Sequence, residues 1–453
     1  MNIEDPAGRP LPHAGSGVWC CEFELSGTGG LESVVPRTDE PVARVLVRLH
    51  GEPIGYVTVE APAHAGDLSV LLGVAWHELS PAIRAHLRAE GRSAAEVTAG
   101  SRVPAAGPGC PNAVESDALV TVVVCTRDRA AMLEPCLERL AAVSYPAVEF
   151  IVVDNAPSDE STRAVVQRFA ARDPRIRYER EPRPGLSCAR NRGLAAARGT
   201  YIAYTDDDVS VDPHWVHGVV KGFQRRPDVW CVTGLVCTAS ITNAAESYFD
   251  ARTASWSARC TPQLFDMSRA SRRGALYPYS AGIFGTGASF AFRRQILDEL
   301  GGFDEALGAG TRARGGEDLD VFVRILRAGG AIAYEPAALV WHHHRADAAS
   351  LSRQMYGYGT GLSAFLTKLL VQRSTRSAVL GRIPTGLVKI ARIRLDTGRR
   401  LTAGTSAPRG MLRREFAGYV AGPLLYAQAR RRVRRGGPAT AHRDPAPAPG
   451  PAR

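Results

Sequence analysis

Residues 200–212, TYIAYTDDDVSVD, run a stretch rich in aromatic and β-branched side chains straight into three consecutive carboxylates, Asp206, Asp207 and Asp208. Three adjacent negative charges repel, and a strand end tolerates them best where a cation is to be held. Side chains two apart in a strand point the same way, so Asp206 and Asp208 can converge on one divalent metal. An isolated acidic triplet is more often a solvated loop; its position after an apolar strand, within an alternating αβ array, reverses that reading.

A second acidic pair stands in ARGGEDLDVFVRILRAGG, where Glu317 and Asp318 open a helix whose Leu319, Phe322, Val323 and Leu326 form an apolar face. Carboxylates in a first helical turn are favoured by the helix dipole, which is the plain alternative to a site. The glycines just before them let a ligand approach the backbone. In ALVWHHHR, alternation puts His342 and His344 on one side and His343 on the other, with His342 the foremost metal-ligand candidate. VVVCTRDR ends a strand with Thr126, Arg127 and Asp128, and VEFIVVDNAPSDES ends one with Asp154, a place suited to bonding ribose hydroxyls or a base edge. GLSCARNRG offers Gly185, Arg190 and Asn191 at a helix start, where donors can meet a diphosphate; Arg190 reads equally as a salt-bridge residue.

These residues need elements to position them. LVTVVVC, VEFIVVD, IRYER and TYIAYT read as strands, each followed by a helical stretch such as LEPCLERLAAV, ESTRAVVQRFAAR or CARNRGLAAARG. That alternation over residues 118–350 predicts an α/β domain with a mostly parallel central sheet and ligands at the carboxyl ends of its strands. Residues 1–100 read as a small β-rich domain, with a hairpin through RVLVRL, HGEPIG and YVTVE, then a helix capped by Ser80 with Pro81 at its first position. Residues 101–117 have linker composition, 351–435 read as a basic helical region, and the Pro/Ala-rich 436–453 as a disordered tail.

A chain of 453 residues with 45% hydrophobic content can bury two or three domains. Its net charge of +11 is a property of the C-terminal region, where residues 351–453 hold 20 Lys and Arg against 3 Asp and Glu. A uniformly basic nucleic-acid binder would look different, so no nucleic-acid partner is expected. Basic helices carrying Phe416, Tyr419, Leu424 and Leu425 suggest contact with an anionic membrane surface. Neither a spanning apolar run nor a leader pattern is visible, and the expected location is cytoplasmic, peripheral at the inner face of the membrane at most. Nine scattered cysteines without a CxxC pair disfavour both a disulfide framework and a zinc site.

Taken in order, VVVCTRDR, VVDNAPSDES, ARNRG, YTDDD, GTGASFAFRR and GGEDLD resemble the family 2 glycosyltransferases over residues 118–353, about half the chain. The resemblance implies a GT-A fold and inverting transfer of a sugar from a nucleotide-diphosphate sugar to an acceptor hydroxyl, on a glycan, a lipid-linked or a secondary-metabolite acceptor. It implies Asp206 and Asp208 as ligands of Mn2+ or Mg2+, with Thr126, Arg127, Asp154, Arg190, Asp206 and Asp207 contacting the donor. Asp318, paired with Glu317, would be the catalytic base. His342 looks like the histidine that completes metal coordination in some members, such as galactofuranosyltransferases. GTGASFAFRR and residues 277–284 would line the acceptor side. The QxxRW motif of processive synthases is absent, RQMYGYGTG standing in its place, which favours one or a few sugar additions. A nucleotidyltransferase is the rival enzyme, disfavoured because CTRDRAAMLE has no glycine for a phosphate loop; a non-catalytic nucleotide-sugar-binding scaffold is the rival of another class.

Overall fold

The computed structural model describes residues 17–61, 68–92, 97–107, 109–110, 112, 114–345, 347–401 and 410–435; the expected tail at 436–453 lies outside them. The N-terminal unit comprises β1 (Trp19–Glu24), β2 (Leu31–Glu32), β3 (Val42–Leu49), β4 (Glu52–Glu60) and α1 (Ser69–Ala89), with sheet order β2-β1-β3-β4. The β3–β4 hairpin is as expected, and its turn is tighter: His50 and Gly51, both at positive φ, make the reversal. The helix is a correction. It begins at Ser69, eleven residues before Ser80, and carries Pro81 inside it, because the buried stripe of Leu71, Ala75 and Trp76 continues upstream in register with Ile83 and Leu87.

Strand alternation gives this small sheet two buried faces. Val45, Val47 and Leu49 pack with Phe23, Trp76 and Leu87 under α1. Leu46 and Cys20 turn the other way and join Leu235, Cys237, Leu339 and Trp341 of the next domain. The polar members of that second face are paired as well: Arg44 makes two bonds to Asp250 at 2.8 and 2.9 Å, and Arg48 reaches Asp212 at 2.5 Å. The unit is therefore docked on the central domain through a continuous interface.

The central domain holds β5 (Val120–Thr126), α2 (Ala130–Ala141), β6 (Val148–Asn155), α3 (Ser161–Ala170), β7 (Ile176–Glu181), α4 (Leu186–Ala196), β8 (Tyr201–Asp206), β9 (Val209–Val211), α5 (Trp215–Gln224), β10 (Val229–Thr238), α6 (Ala244–Ser257), β11 (Gln263–Phe265), β12 (Phe290–Arg293), α7 (Arg294–Glu299), α8 (Glu317–Arg327) and β13 (Ala331–His342). Its nine-stranded sheet has the order β11-β13-β10-β12-β8-β5-β6-β7, with β9 pairing β13. Strands β5, β6, β7, β8, β10 and β13 run one way, and β12 runs against them between β8 and β10. The sheet is thus largely parallel in direction, with a reversed strand at its middle. Both faces are covered, one centred on Val122, Phe150, Trp215 and Val232, the other on Tyr204, Phe290, Phe292 and Phe322.

Four helices follow: α9 (Ala348–Val371), α10 (Arg373–Leu380), α11 (Ile383–Arg400) and α12 (Met411–Arg435). Helices α9 and α12 cross with backbones nearly touching. A Cβ on Gly359 would lie 2.2 Å from the Glu415 carbonyl oxygen, and one on Gly418 would lie 2.4 Å from that of Tyr356. Among the described residues no helix is long and apolar enough to cross a membrane.

Candidate active site

The carboxyl ends of β5, β6 and β8 and the N-terminus of α8 open on one cleft of about 1260 Å³, walled on its far side by α9, α11 and α12. Strand β8 ends at Asp206, a tight turn carries Asp207 and Asp208, and β9 then pairs antiparallel with β13, setting Val209 opposite His342. That pairing brings the last strand to the acidic turn. The His343 amide donates to the Asp208 carbonyl at 3.1 Å, and His342 Nε2 stands 3.6 Å from Asp208 Oδ1.

Each of the three carboxylates meets a different set of partners. Asp207 accepts from the Thr126 hydroxyl at 2.6 Å and pairs with Arg129. Asp208 is held by Arg129 and Arg345, both at 3.1 Å. Asp206 pairs, among the described residues, with Arg190 at 3.6 Å. Burial first, and then the neighbouring carboxylates, push Asp206 up to about 7 against the pull of Arg190. Asp207 is raised to about 6 by burial, with Arg129 opposing. Burial would raise Asp208 too, but His342, Arg129 and Arg345 hold it below the ordinary carboxylate range.

The second acidic pair reaches the same cleft. Gly316, at φ +88°, turns the chain into α8 so that Glu317 and Asp318 occupy its first turn. Gly316 also packs against Gly361 of α9, where any Cβ would lie 2.5 Å from the Gly361 carbonyl oxygen. Glu317 accepts from Arg190 at 2.9 Å, and its other oxygen is buried with no hydrogen-bond partner. Asp318 is half-buried and lines the cleft. Burial raises both carboxyls, Arg190 opposing in each case. A raised carboxyl facing a cleft can take a proton from an approaching hydroxyl.

Of the residues singled out from sequence, Thr126, Arg127, Arg190, Asp206, Asp207, Asp208, Glu317, Asp318 and His342 share this lining. Three expectations need correction. Asp154 is fully buried at the end of β6 beneath Tyr178, whose hydroxyl donates to it at 3.0 Å, and it is not in the lining. Asn155, the next residue, is there instead, and its side chain accepts from the Gly185 amide at 2.9 Å. Arg190 is 2% exposed, with its guanidinium committed to Glu317, Asp206 and the Gly287 carbonyl and stacked 4.8 Å over Phe290. Those contacts make it a positioning residue, the salt-bridge alternative read from the sequence, at the lining of the cleft. Asn191 is structural, clasping the Phe303 backbone at 2.8 and 2.9 Å. The histidines alternate as expected: His342 Nδ1 meets His344 Nδ1 at 3.0 Å, while His343 turns to Ser210 at 3.1 Å.

Sequence reasoning missed Arg129 and Arg345, although three adjacent carboxylates must find countercharge and both arginines flank strand ends that were read as site segments. It also missed that the C-terminal helices wall the cleft. Tyr419, expected on a membrane-facing surface, turns inward to the lining and donates to Glu415 at 2.6 Å. Phe416 and Leu424 do face outward, at 58% and 64% exposure.

Residues 121–301 match the model of glycosyl transferase family 2. Those residues form a family 2 glycosyltransferase domain. Its α/β architecture is of the GT-A type, flanked by the small N-terminal sheet and the C-terminal helices. The chain is 26% identical over 297 residues to a pre-mycofactocin glycosyltransferase of Mycobacterium tuberculosis, covering 62% of this chain and 57% of that protein. It is 25% identical over 227 residues to a glucosyl-dolichyl phosphate glucuronosyltransferase of Haloferax volcanii, covering 49% and 68%. The match to the first of these thus spans little more than half of that relative's length. Among solved structures, the mannosyltransferase PcManGT from Pyrobaculum calidifontis in complex with GDP-Man and Mn2+ aligns with a TM-score of 0.41 and 19% identity, over 71% of this chain and 76% of that one.

Proposed function

We infer that the chain is an inverting glycosyltransferase that moves a sugar from a nucleotide-diphosphate donor to an acceptor hydroxyl, with Asp318 as the base. The observation that carries this reading is the sharing of one cleft by the Asp206–Asp208 turn, His342 and Asp318, coupled through Arg190. The donor set of Asp206, Asp208 and His342 suits Mn2+ or Mg2+: hard carboxylate oxygens and one imidazole that burial disposes to the neutral form. Such an ion, when bound, supplies Lewis-acid neutralisation of a diphosphate leaving group. Arg127, exposed in the cleft lining and paired with Asp128 at 3.7 Å, can turn to meet the nucleotide. Asp318 takes the acceptor proton as its oxygen attacks the anomeric carbon, and single displacement inverts that centre. Nucleotide release from a panel of UDP, GDP and dTDP sugars with Mn2+ tests the reading; no release above background with any donor would leave the scaffold alternative standing.

The acceptor is an apolar-tailed molecule, and the wall of the cleft supports this. Leu362, Leu366 and Leu370 of α9 and Ile383, Leu387 and Ile390 of α11 contribute an apolar arm to the lining of the cavity that Asp318 also lines. Arg382 and Lys389 also line it, the latter lowered by burial, and would serve a phosphate or other anionic head. Outside, Val388, Leu395 and Phe416 are more than half exposed among the arginines of α11 and α12, as a helix resting on anionic headgroups requires. Sedimentation with anionic but not neutral vesicles at low salt is expected; equal failure with both would remove the membrane from this reading.

A further inference from the structure

Far from the cleft, the N-terminal unit gathers His50 at the β3–β4 turn, His86 near the end of α1 and Cys110 in the segment leading toward β5. One ligand atom from each lies within 4.8 Å of the other two. His50 Nδ1 is 3.2 Å from His86 Nε2, which is 3.8 Å from Cys110 Sγ. Tetrahedral zinc with bonds of about 2.0 Å to nitrogen and 2.3 Å to sulfur sets its ligand atoms about 3.3 to 3.6 Å apart, so the spacing is that of a coordination shell.

The outer nitrogens decide what the inner ones can be. His50 Nε2 faces the Pro104 carbonyl at 2.9 Å, and His86 Nδ1 faces Glu52 Oε2 at 2.9 Å. Both partners only accept, so both outer nitrogens carry a ring proton, and in the neutral rings both inner nitrogens present lone pairs to each other. Beside them Glu90 Oε2 lies 3.3 Å from His50 Nδ1, buried and making no hydrogen bond. Two imidazole lone pairs, a carboxylate oxygen and a sulfur thus meet with one thiol proton among them. Histidine ligands oriented from behind by a carbonyl and a carboxylate are the usual support of a metal site.

We propose that His50 Nδ1, His86 Nε2 and Cys110 Sγ bind a structural zinc ion, with Glu90 balancing its charge at the flank. Binding replaces the Cys110 thiol proton, which leaves to solvent, by a zinc–thiolate bond. The ligands lie 36 and 24 residues from His86, a spacing no short motif captures, which is why a chain without CxxC can still build the site. The ion ties the hairpin turn, the helix end and the connecting segment together. It also reaches the catalytic domain, since Glu52 receives Lys221 of α5 at 3.3 Å and Lys221 bonds Asn112 at 3.0 Å.

Elemental analysis of the full chain, purified and dialysed against metal-free buffer, is expected to find one zinc per chain, still present in Asp208→Ala and reduced at least tenfold in Cys110→Ser. Should Cys110→Ser fail to fold, Co2+ exchange of the wild-type chain reads the same site: a thiolate-to-cobalt charge-transfer band is expected, unchanged by Asp208→Ala. Wild-type chain without stoichiometric zinc and without that band would overturn the proposal, leaving a proton shared between His50 and Glu90 in the ion's place.

Discussion

Arg190 Nη1 lies 2.9 Å from Glu317 Oε1, both side chains almost fully buried, and the same guanidinium stands 3.6 Å from Asp206. One cation thereby joins the end of β8 to the start of α8. Removing it leaves the buried Glu317 carboxylate without its countercharge, and breaking a buried pair costs about 3–5 kcal/mol. Arg190→Met is expected to melt many degrees lower and to lose activity. Arg190→Lys, keeping charge without the planar fork, is expected to fold and to lose turnover more than donor affinity. Thermal denaturation beside steady-state kinetics checks both; an Arg190→Met chain of wild-type stability would contradict the bridge.

Asp318 and Asp208 separate by what each variant loses. A general base contributes about 10²–10⁴-fold in rate, so Asp318→Asn should lower turnover by that order while calorimetry finds donor binding nearly intact. Asp208→Ala removes a carboxylate held by His342, Arg129 and Arg345 and should weaken metal-dependent donor binding first. Near wild-type turnover in Asp318→Asn would rule it out as the base.

The strands of the central sheet were legible because each buried run, such as VTVVVC and FIVVD, is apolar on both faces and ends in a polar cluster. The acidic turn and His342 were legible for the same reason, standing where an apolar run stops, and the Glu-Asp pair because it opens an amphipathic helix behind two glycines. Asp154 misled because a strand-end carboxylate looks the same whether it faces a ligand or lies beneath a tyrosine. The role of α9 to α12 was hidden because basic amphipathic periodicity describes a membrane-facing helix and a cleft-walling one equally well. What distinguishes them here is the glycine series Gly359, Gly361, Gly418 and Gly422, which lets α12 lie against α9 and α9 against the loop before α8.

Docking of the N-terminal sheet should depend on pH. Arg48, against the opposing effect of burial, holds Asp212 well below the ordinary carboxylate range, and Arg44 does the same for Asp250. Folded values below unfolded ones mean that the stabilisation is complete above about pH 4 to 5 and is lost as pH falls toward the folded values. The contribution of these two pairs to the melting temperature should be constant from neutrality to about pH 5 and fall steeply below about pH 4, while Asp206 and Asp207, raised to about 7 and about 6, act the opposite way between neutrality and pH 5. In Asp212→Asn the neutral-pH value should be lower and the acid slope shallower. An unchanged slope would place the acid sensitivity elsewhere.

Leu387 of α11 tests what the apolar arm accommodates. It is 63% exposed yet lines the cavity, so Leu387→Asp should leave the fold intact while setting a charge where an acceptor's hydrocarbon would lie. Each methylene buried there is worth about 0.8 kcal/mol, so losing contact with only two or three of them predicts a rise in KM of about tenfold or more for a long-tailed acceptor. A short soluble acceptor carrying the same hydroxyl never reaches α11, and its KM should not change. Turnover at saturation should be the same for both, because Asp318 and the acidic turn are untouched. Equal effects on the two acceptors would mean that Leu387 acts through the fold of α11, and the apolar-tailed substrate would lose its support.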